Sequence, residues 1–302
     1  MQTIEAFEKD VNLQVECLGK FKPSGIIPRN KQSKTIFCGS GDSLAASMLA
    51  EAFSEFRVRA MDPLDLLKNP SIPKQNDVCV VSISGRTISN IKAAKLAKHS
   101  IGITANPQNK LGKTVSRVIS LKFPNNDVFT AGSISYLESA LTCISLVNNF
   151  KIKNPAKIFQ NAKRQAQRIS LGKRVFFLGN LITYPSAMYA AAKLYEILGK
   201  EAYYERIEQF SHMELFSCKP GDTVVIFEKK NPHNSNLARQ LKKVGLDVIH
   251  PDPLYGDKIS QFLFYTFFSQ LVPLNLAKRN GQKDCHFVTS KKLRNASDKM
   301  IY

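Results

Sequence analysis

Short apolar, β-branched runs alternate with alanine- and leucine-rich stretches at helical spacing along most of this chain, the pattern of strands each followed by a helix. Lys34-Thr35-Ile36-Phe37-Cys38 reads as a strand that runs into Gly39-Ser40-Gly41-Asp42-Ser43, with a helix from Leu44 to Phe56 after it. Val58 to Met61 reads as a short strand, and Asp77 to Ser84 as a buried one leading into the turn Ser82 to Asn90. From Ile91 to Ala97 the spacing is helical again. Ser100 to Ala105 and Arg117 to Phe123 repeat the strand pattern, and Ile134 to Asn148 predicts a long helix. After a linker from Asn149 to Pro155 the series restarts: Lys173 to Asn180 is a strand into a glycine turn, and Pro185 to Leu198 an alanine-rich helix. Ala202 to Ile207, Asp222 to Phe227 and Leu246 to His250 are further strands. Strands alternating with helices imply α/β architecture with parallel sheets and right-handed crossovers. The restart implies a duplicated unit of about 150 residues per copy. The expected layout is an amino-terminal helix with its turn over 1–33, a first α/β domain over 34–150 and a second over 151–302.

Composition narrows the function classes. The 302 residues are 43% hydrophobic and 22% charged, enough for well-filled cores and against disorder. The net charge of +19 raises nucleic acid as a partner. The basic residues are spread along the chain, however, and their densest region, Lys151 to Arg174, carries no interleaved aromatics. A solvated helix face accounts for that region, so nucleic-acid binding is not expected; the charge favours anionic small substrates instead. Six cysteines without a CxxC pair, several inside apolar runs, fit buried free thiols in a reducing cytoplasm. Met1 to Lys20 is amphipathic with Glu5, Glu8 and Asp10, unlike a signal peptide. Phe262 to Ala277 is the most apolar segment, yet too short and too polar to span a bilayer, and reads as a core or interface helix.

Candidate chemistry concentrates at the turns. In a parallel sheet the Ser82-Ile83-Ser84-Gly85-Arg86-Thr87 turn lies at the carboxyl edge, where a helix amino terminus offers unpaired N–H groups and a positive dipole end. Ser82, Ser84 and Thr87 surround that pole with hydroxyls and Gly85 lets the backbone close on a ligand, which suits a phosphate; taken alone, the same residues also serve as helix caps. Ser40 and Ser43 sit on the first glycine turn, which a neighbouring strand would bring to the same edge. In the second half Lys193 and Glu196 are three apart and share a helix face, a spacing that also suits a surface ion pair. His212 is one of only five histidines and is read as structural or catalytic.

At these residues the sequence resembles a family. Tyr184-Pro185-x-Ala187-x4-Ala192-Lys193-Leu194-x-Glu196, with His212 sixteen residues on, is similar to the isomerase half of glucosamine-6-phosphate synthase. Leu263-Phe264-Tyr265-Thr266-x3-Gln270-Leu271 looks like that family's late interface helix, and Ser82-x-Ser84-Gly85-x-Thr87 resembles the phosphate loop of sugar isomerase (SIS) domains. Length and the closing Arg294 to Lys299 run are similar to archaeal phosphoglucose/phosphomannose isomerases. The resemblance covers about residues 34 to 302. It implies two tandem SIS domains, each a flavodoxin-like parallel sheet flanked by helices, and a sugar-phosphate ligand with no cofactor or metal.

The resemblance further implies an aldose–ketose isomerase of a hexose or aminohexose 6-phosphate working through an enediol or enolamine. Ser82, Ser84, Gly85 and Thr87, helped by Ser40 or Ser43, would bind the phosphate. Glu196 would be the base, in a partly dry pocket, with Lys193 as a catalytic cation beside it, and His212 would assist ring opening. A carboxyl-terminal lysine would close over the ligand: an arginine-to-lysine spacing of five selects Lys299, and counting from Gly281 selects Lys292. A homodimer with shared active sites follows from the same family pattern. The sequence departs from it at Tyr189, where the synthase has a carboxylate, and in Thr130 to Tyr136, which lacks the arginine of the phosphoglucose/phosphomannose isomerases. No glutamine-hydrolysing domain precedes residue 34, so ammonia transfer from glutamine is not expected. An amino-sugar phosphate deaminase or deglycase and a non-catalytic phosphosugar sensor are the alternatives.

Overall fold

The computed structural model describes residues 1–124 and 127–301. In chain order the elements are α1 (Thr3–Lys20), α2 (Arg29–Gln32), β1 (Thr35–Cys38), α3 (Asp42–Phe53), β2 (Arg59–Met61), α4 (Pro63–Lys68), α5 (Ser71–Gln75), β3 (Asp77–Val81), α6 (Ile88–Leu96), β4 (His99–Thr104), β5 (Arg117–Ser120) and α7 (Ile134–Ser145). There follow α8 (Pro155–Ala166), β6 (Val175–Leu178), α9 (Thr183–Leu198), β7 (Ala202–Glu205), α10 (Ile207–His212), β8 (Thr223–Ile226), α11 (Pro232–Lys243), β9 (Asp247–Ile249), α12 (Lys258–Arg279), α13 (His286–Thr289) and α14 (Lys291–Ile301). The chain forms two compact units that are not contiguous halves. One holds residues 20–124, 132–150 and 291–301; the other holds 1–19, 127–131 and 151–290.

The unit of the first sheet orders its strands β2-β1-β3-β4-β5, all parallel, the flavodoxin-like order. Ile36, Cys38, Val78 and Val80 on one face pack with Leu66, Ala93, Ala94 and Leu111. β1 and β3 are buried at nearly every position because both of their faces are covered, which is why they read as continuous apolar runs rather than alternating ones. Cys38 and Cys79 are free and buried, and burial pushes both thiols up to about 12.

Glu138 is the one charged residue of α7. Burial pushes its carboxyl up from an ordinary 4.5 to about 7, partly offset by the Lys122 backbone N–H that it accepts. Between those two values the folded chain holds a proton that the unfolded chain releases, so stability falls as pH rises through that window. Thermal melts from pH 4.5 to 7.5 should show this decline, and Glu138→Gln should flatten it; an unchanged slope in the variant would remove Glu138 as its source.

The second sheet repeats the beginning of this order, β7-β6-β8-β9, again parallel. Phe176, Leu178, Val224 and Ile226 pack with Ile207, Phe210, Leu241 and Leu246 on one face. On the other, Phe227 stacks on Tyr265 at 4.6 Å between centroids and meets Phe177 and Phe268, with Phe264 continuing the cluster. Tyr265, Phe264 and Phe268 belong to α12, whose residues are buried from Phe262 to Leu274. α12 is therefore a core helix of its unit, and the alternative reading of this segment as an interface helix has no apolar face to stand on. α1 joins this unit through Ile4 N–H to the Lys283 carbonyl, Thr3 to Asp284 and a Glu8–Lys278 ion pair. No helix among the described residues is long and apolar enough to cross a membrane.

Each sheet's first strand ends in a glycine followed by a helix: Gly39 before α3 and Gly179 before α9. A Cβ on Gly39 would come 2.7 Å from the Ser43 backbone, and one on Gly179 would come 2.5 Å from the Thr183 carbonyl. The two glycine turns thus share a steric cause, a helix turn seated against the strand end where only glycine fits.

Candidate active site

β1 and β3 are paired in parallel, Cys38 opposite Val80, so the turns after them leave the same edge of the sheet. The first of these turns carries Ser40, exposed, and Ser43, half-buried in the first turn of α3, where Asp42 is the local acid. The second is knitted by its own hydroxyls. Ser82 Oγ accepts the Gly85 N–H at 3.2 Å and Ser84 Oγ accepts the Arg86 N–H at 3.3 Å. A hydroxyl that accepts such a bond still has its proton to donate to an anion. Thr87 is the N-cap of α6, its side chain makes no capping bond, and the first turn of α6 holds no acid.

In the other unit the pole of α9, the counterpart of α3 after the first strand of the sheet, is filled. Glu228, just beyond β8, places Oε1 at 2.9 Å from the Asn180 N–H and 2.7 Å from the Thr183 hydroxyl, at the amino terminus of α9. A carboxylate from the chain itself takes the position that an external anion takes at such a pole. Sequence reading missed this; the signal was a glutamate where the first unit's corresponding strand is followed by serines.

Gly85 is also required by the chain itself. Its φ is +60° and a Cβ there would lie 2.0 Å from Asn109 Nδ2, so Asn109 occupies the space that a side chain would need. Asn109 Nδ2 donates to Thr104 Oγ1 at 2.6 Å and to the Ser84 carbonyl at 3.1 Å, while its Oδ1 accepts the Gly112 N–H at 2.8 Å. Gly85→Ala should therefore destabilise the protein by about 2 to 4 kcal/mol, combining left-handed strain with displacement of Asn109. Denaturant unfolding reads this, and a loss below about 0.5 kcal/mol would show that the Asn109 brace is dispensable.

On α9, the Lys193 ammonium donates to the Glu196 carboxylate. The spacing suggested a surface pair, but Lys193 is 0% exposed and the Glu196 side chain 33% exposed, so the cation is inside the unit and the acid opens outward. Lys193 Nζ also lies 4.8 Å from the centroid of the Tyr189 ring, a cation–π arrangement. The residue that departs from the synthase pattern thus offers the lysine an aromatic face. Tyr189 is itself anchored: its hydroxyl accepts from Gln270 Nε2 at 2.9 Å, and Gln270 Oε1 accepts from Gln14 Nε2 at 2.6 Å, all three residues fully buried. A buried polar chain with its partners in place fixes one geometry.

His212 is elsewhere on this unit. It ends α10 with its side chain 70% exposed, and Nε2 lies 3.2 Å from Glu208 Oε1. Lys292 and Lys299 both lie on α14, which buries no residue. Among the described residues no three His, Cys, Asp or Glu side chains converge as metal ligands.

A cavity of about 490 Å³ opens beside the serine turn, lined by Ile83, Ser84, Arg86, Asn106, Gln108, Asn109, Lys110 and Lys113. Ser84 is the one residue of the expected phosphate set that reaches it.

No family model matches the sequence, and no curated protein matches it. Solved structures similar in fold include the glucosamine-6-phosphate deaminase of Thermotoga maritima, at 18% identity over 92% of this chain and 95% of that chain, with a TM-score of 0.76. The C-terminal domain of glucosamine-fructose-6-phosphate aminotransferase from Francisella tularensis is 16% identical over 92% of this chain and 97% of that one, TM-score 0.68. Tagatose-6-phosphate ketose/aldose isomerase from Escherichia coli is 17% identical over 93% and 88%, TM-score 0.67. At such identities the likeness is one of fold: the chain has the architecture on which these sugar-phosphate isomerase and deaminase structures are built.

Proposed function

We propose that this protein is a phosphosugar-binding SIS protein and an aldose–ketose isomerase of a hexose or aminohexose 6-phosphate. In this reading Ser82, Ser84 and Thr87, with Ser40 or Ser43, hold the phosphate at the acid-free pole of α6. Glu196 carries the proton between C1 and C2 through an enediol or enolamine, and Lys193 stabilises the charge that develops there. The observation that carries the reading is the buried Lys193 ammonium on a carboxylate that faces outward, because an ion is retained in a core at a cost that a surface pair does not incur. His212 and a lysine of α14, Lys299 or Lys292, complete the proposal; both are exposed, which suits a homodimer in which they serve a second copy's site. A cytoplasmic location accords with the buried free thiols.

The experiment is a panel of sugar phosphates incubated in deuterated water, with exchange at C1 and C2 followed by NMR. Exchange on at least one hexose or aminohexose 6-phosphate is expected, since enediol chemistry exchanges that hydrogen even where no product accumulates. Absence of exchange across the panel, with ligand binding retained, would turn the protein into a sensor. The likeness to a glucosamine-6-phosphate deaminase favours a second reading, in which the same base acts on an amine-bearing carbon. Ammonia release from glucosamine 6-phosphate separates the two.

A further inference from the structure

The cavity beside Ser84 has a composition that the isomerase reading does not use. Arg86 comes from the serine turn, and Lys110 and Lys113 from the segment after β4, and among the described residues none that lines it is acidic. The Lys113 N–H bonds to the Asn109 carbonyl at 3.1 Å, one helical turn, which sets Lys110 and Lys113 on a common side. Like charges so placed repel one another, and an anion between them and Arg86 reverses the sign of that interaction.

The frame behind these cations is fixed. The Leu111 N–H donates to the Gly85 carbonyl at 3.0 Å, Asn109 bridges Thr104 and Ser84, and the Gln108 N–H donates to Asn106 Oδ1 at 2.9 Å. The segment after β4 and the serine turn are thus joined on the side of the turn away from β1. Amide side chains Asn106 and Gln108 add donors to the rim. The size suits a small ligand, and among the described residues none that lines the cavity is aromatic, so none offers the stacking surface that single-stranded nucleic acid uses.

We propose that Arg86, Lys110 and Lys113 form a second anion site for a phosphoryl group, separate from the one assigned to Ser82, Ser84 and Thr87 at the pole of α6. The phosphoryl group comes either from the far end of a sugar bisphosphate or from a separate phosphate ester bound beside the first ligand. The site itself does not rest on the sugar chemistry; only its being the second of two rests on the phosphate role of the α6 pole.

The test is titration of the full chain with inorganic phosphate, pyrophosphate and a hexose bisphosphate, read by calorimetry and by amide chemical shifts. Two phosphate-binding events are expected. The exposed pair Lys110→Glu/Lys113→Glu should abolish one or weaken it about tenfold or more, and Lys110→Arg/Lys113→Arg should retain it. Thr87→Ala should affect only the other event. Binding that is unaltered by charge reversal in a folded variant, or no phosphate binding at all, overturns the proposal. Loss on charge reversal without any effect of Thr87→Ala supports this site and removes the α6 pole instead. For a hexose bisphosphate, a single event tighter than that of the monophosphate identifies one ligand spanning both groups; two independent events identify separate phosphate esters.

Discussion

On the proposed mechanism Glu196→Gln should slow deuterium exchange at C1 and C2 of the substrate by about 100- to 10,000-fold, the range that a positioned general base contributes. Glutamine keeps the shape and an oxygen that accepts from Lys193, so the ion-pair geometry can persist while the proton acceptor is gone. The loss should appear in kcat with little change in KM, because the proposal assigns the substituted group to the moving proton rather than to the phosphate. Ser84→Ala with Thr87→Ala should do the opposite, raising KM with a smaller effect on kcat. Wild-type exchange rates in a folded Glu196→Gln protein would take the base away from α9 altogether. His212→Asn offers a contrast, since His212 is exposed and paired with Glu208. If it acts in a partner's site, mixing it with Glu196→Gln protein should restore part of the activity that each lacks.

Much of this was legible from the chain. The strands of both sheets were found because doubly covered strands are apolar at consecutive positions, and β1, β3, β6 and β8 are buried throughout or nearly so. Their ends were overextended: Asp77 to Ser84 was expected as strand, whereas β3 stops at Val81 and Ser82 already turns its hydroxyl to the loop. Helix α11 is not among the expected elements although Leu237, Ala238 and Leu241 set a short apolar stripe that packs on the core; the stripe is narrow, with only Asn234 and Leu241 buried, and the other signals are Asn231, whose side chain accepts the Asn234 N–H, and Pro232 after it. The grouping of residues 1–19 with 151–290 had no local signal at all, since it depends on long-range bonds such as Ile4 to Lys283.

The candidate site divides in the same way. The hydroxyls around α6 and the Lys193–Glu196 spacing are local features, and a sequence displays local features. Asn109 filling the space at Gly85, Glu228 filling the pole of α9 and the Gln14–Gln270–Tyr189 chain each join residues far apart in sequence, 256 positions in the case of Gln14 and Gln270. A lone glutamate or glutamine carries no mark of what it will meet. For the same reason the burial of Lys193 could not be anticipated: the i, i+3 spacing is shared by surface pairs, and only packing around Tyr189 puts the ammonium inside.

That burial gives the second large prediction. Lys193→Met leaves folding stability unchanged or raises it by about 1 to 4 kcal/mol, because methionine fills the same unbranched volume without the desolvation cost of an ion, and Glu196, being partly exposed, can be hydrated once its partner is gone. Exchange activity should nevertheless fall about 100-fold or more, since the charge that forms on the substrate loses its fixed cation. Glu196→Gln alone has the reverse cost: it leaves an ammonium in the core with a neutral acceptor and should destabilise by up to about 3 to 5 kcal/mol. The double variant should then recover the stability of Lys193→Met while remaining inactive. Denaturant unfolding and deuterium exchange on the four proteins close this cycle. If instead Lys193→Met were several kcal/mol less stable and still exchanged substrate hydrogen at the wild-type rate, the pair would be a structural strut and the buried cation would have no part in the chemistry.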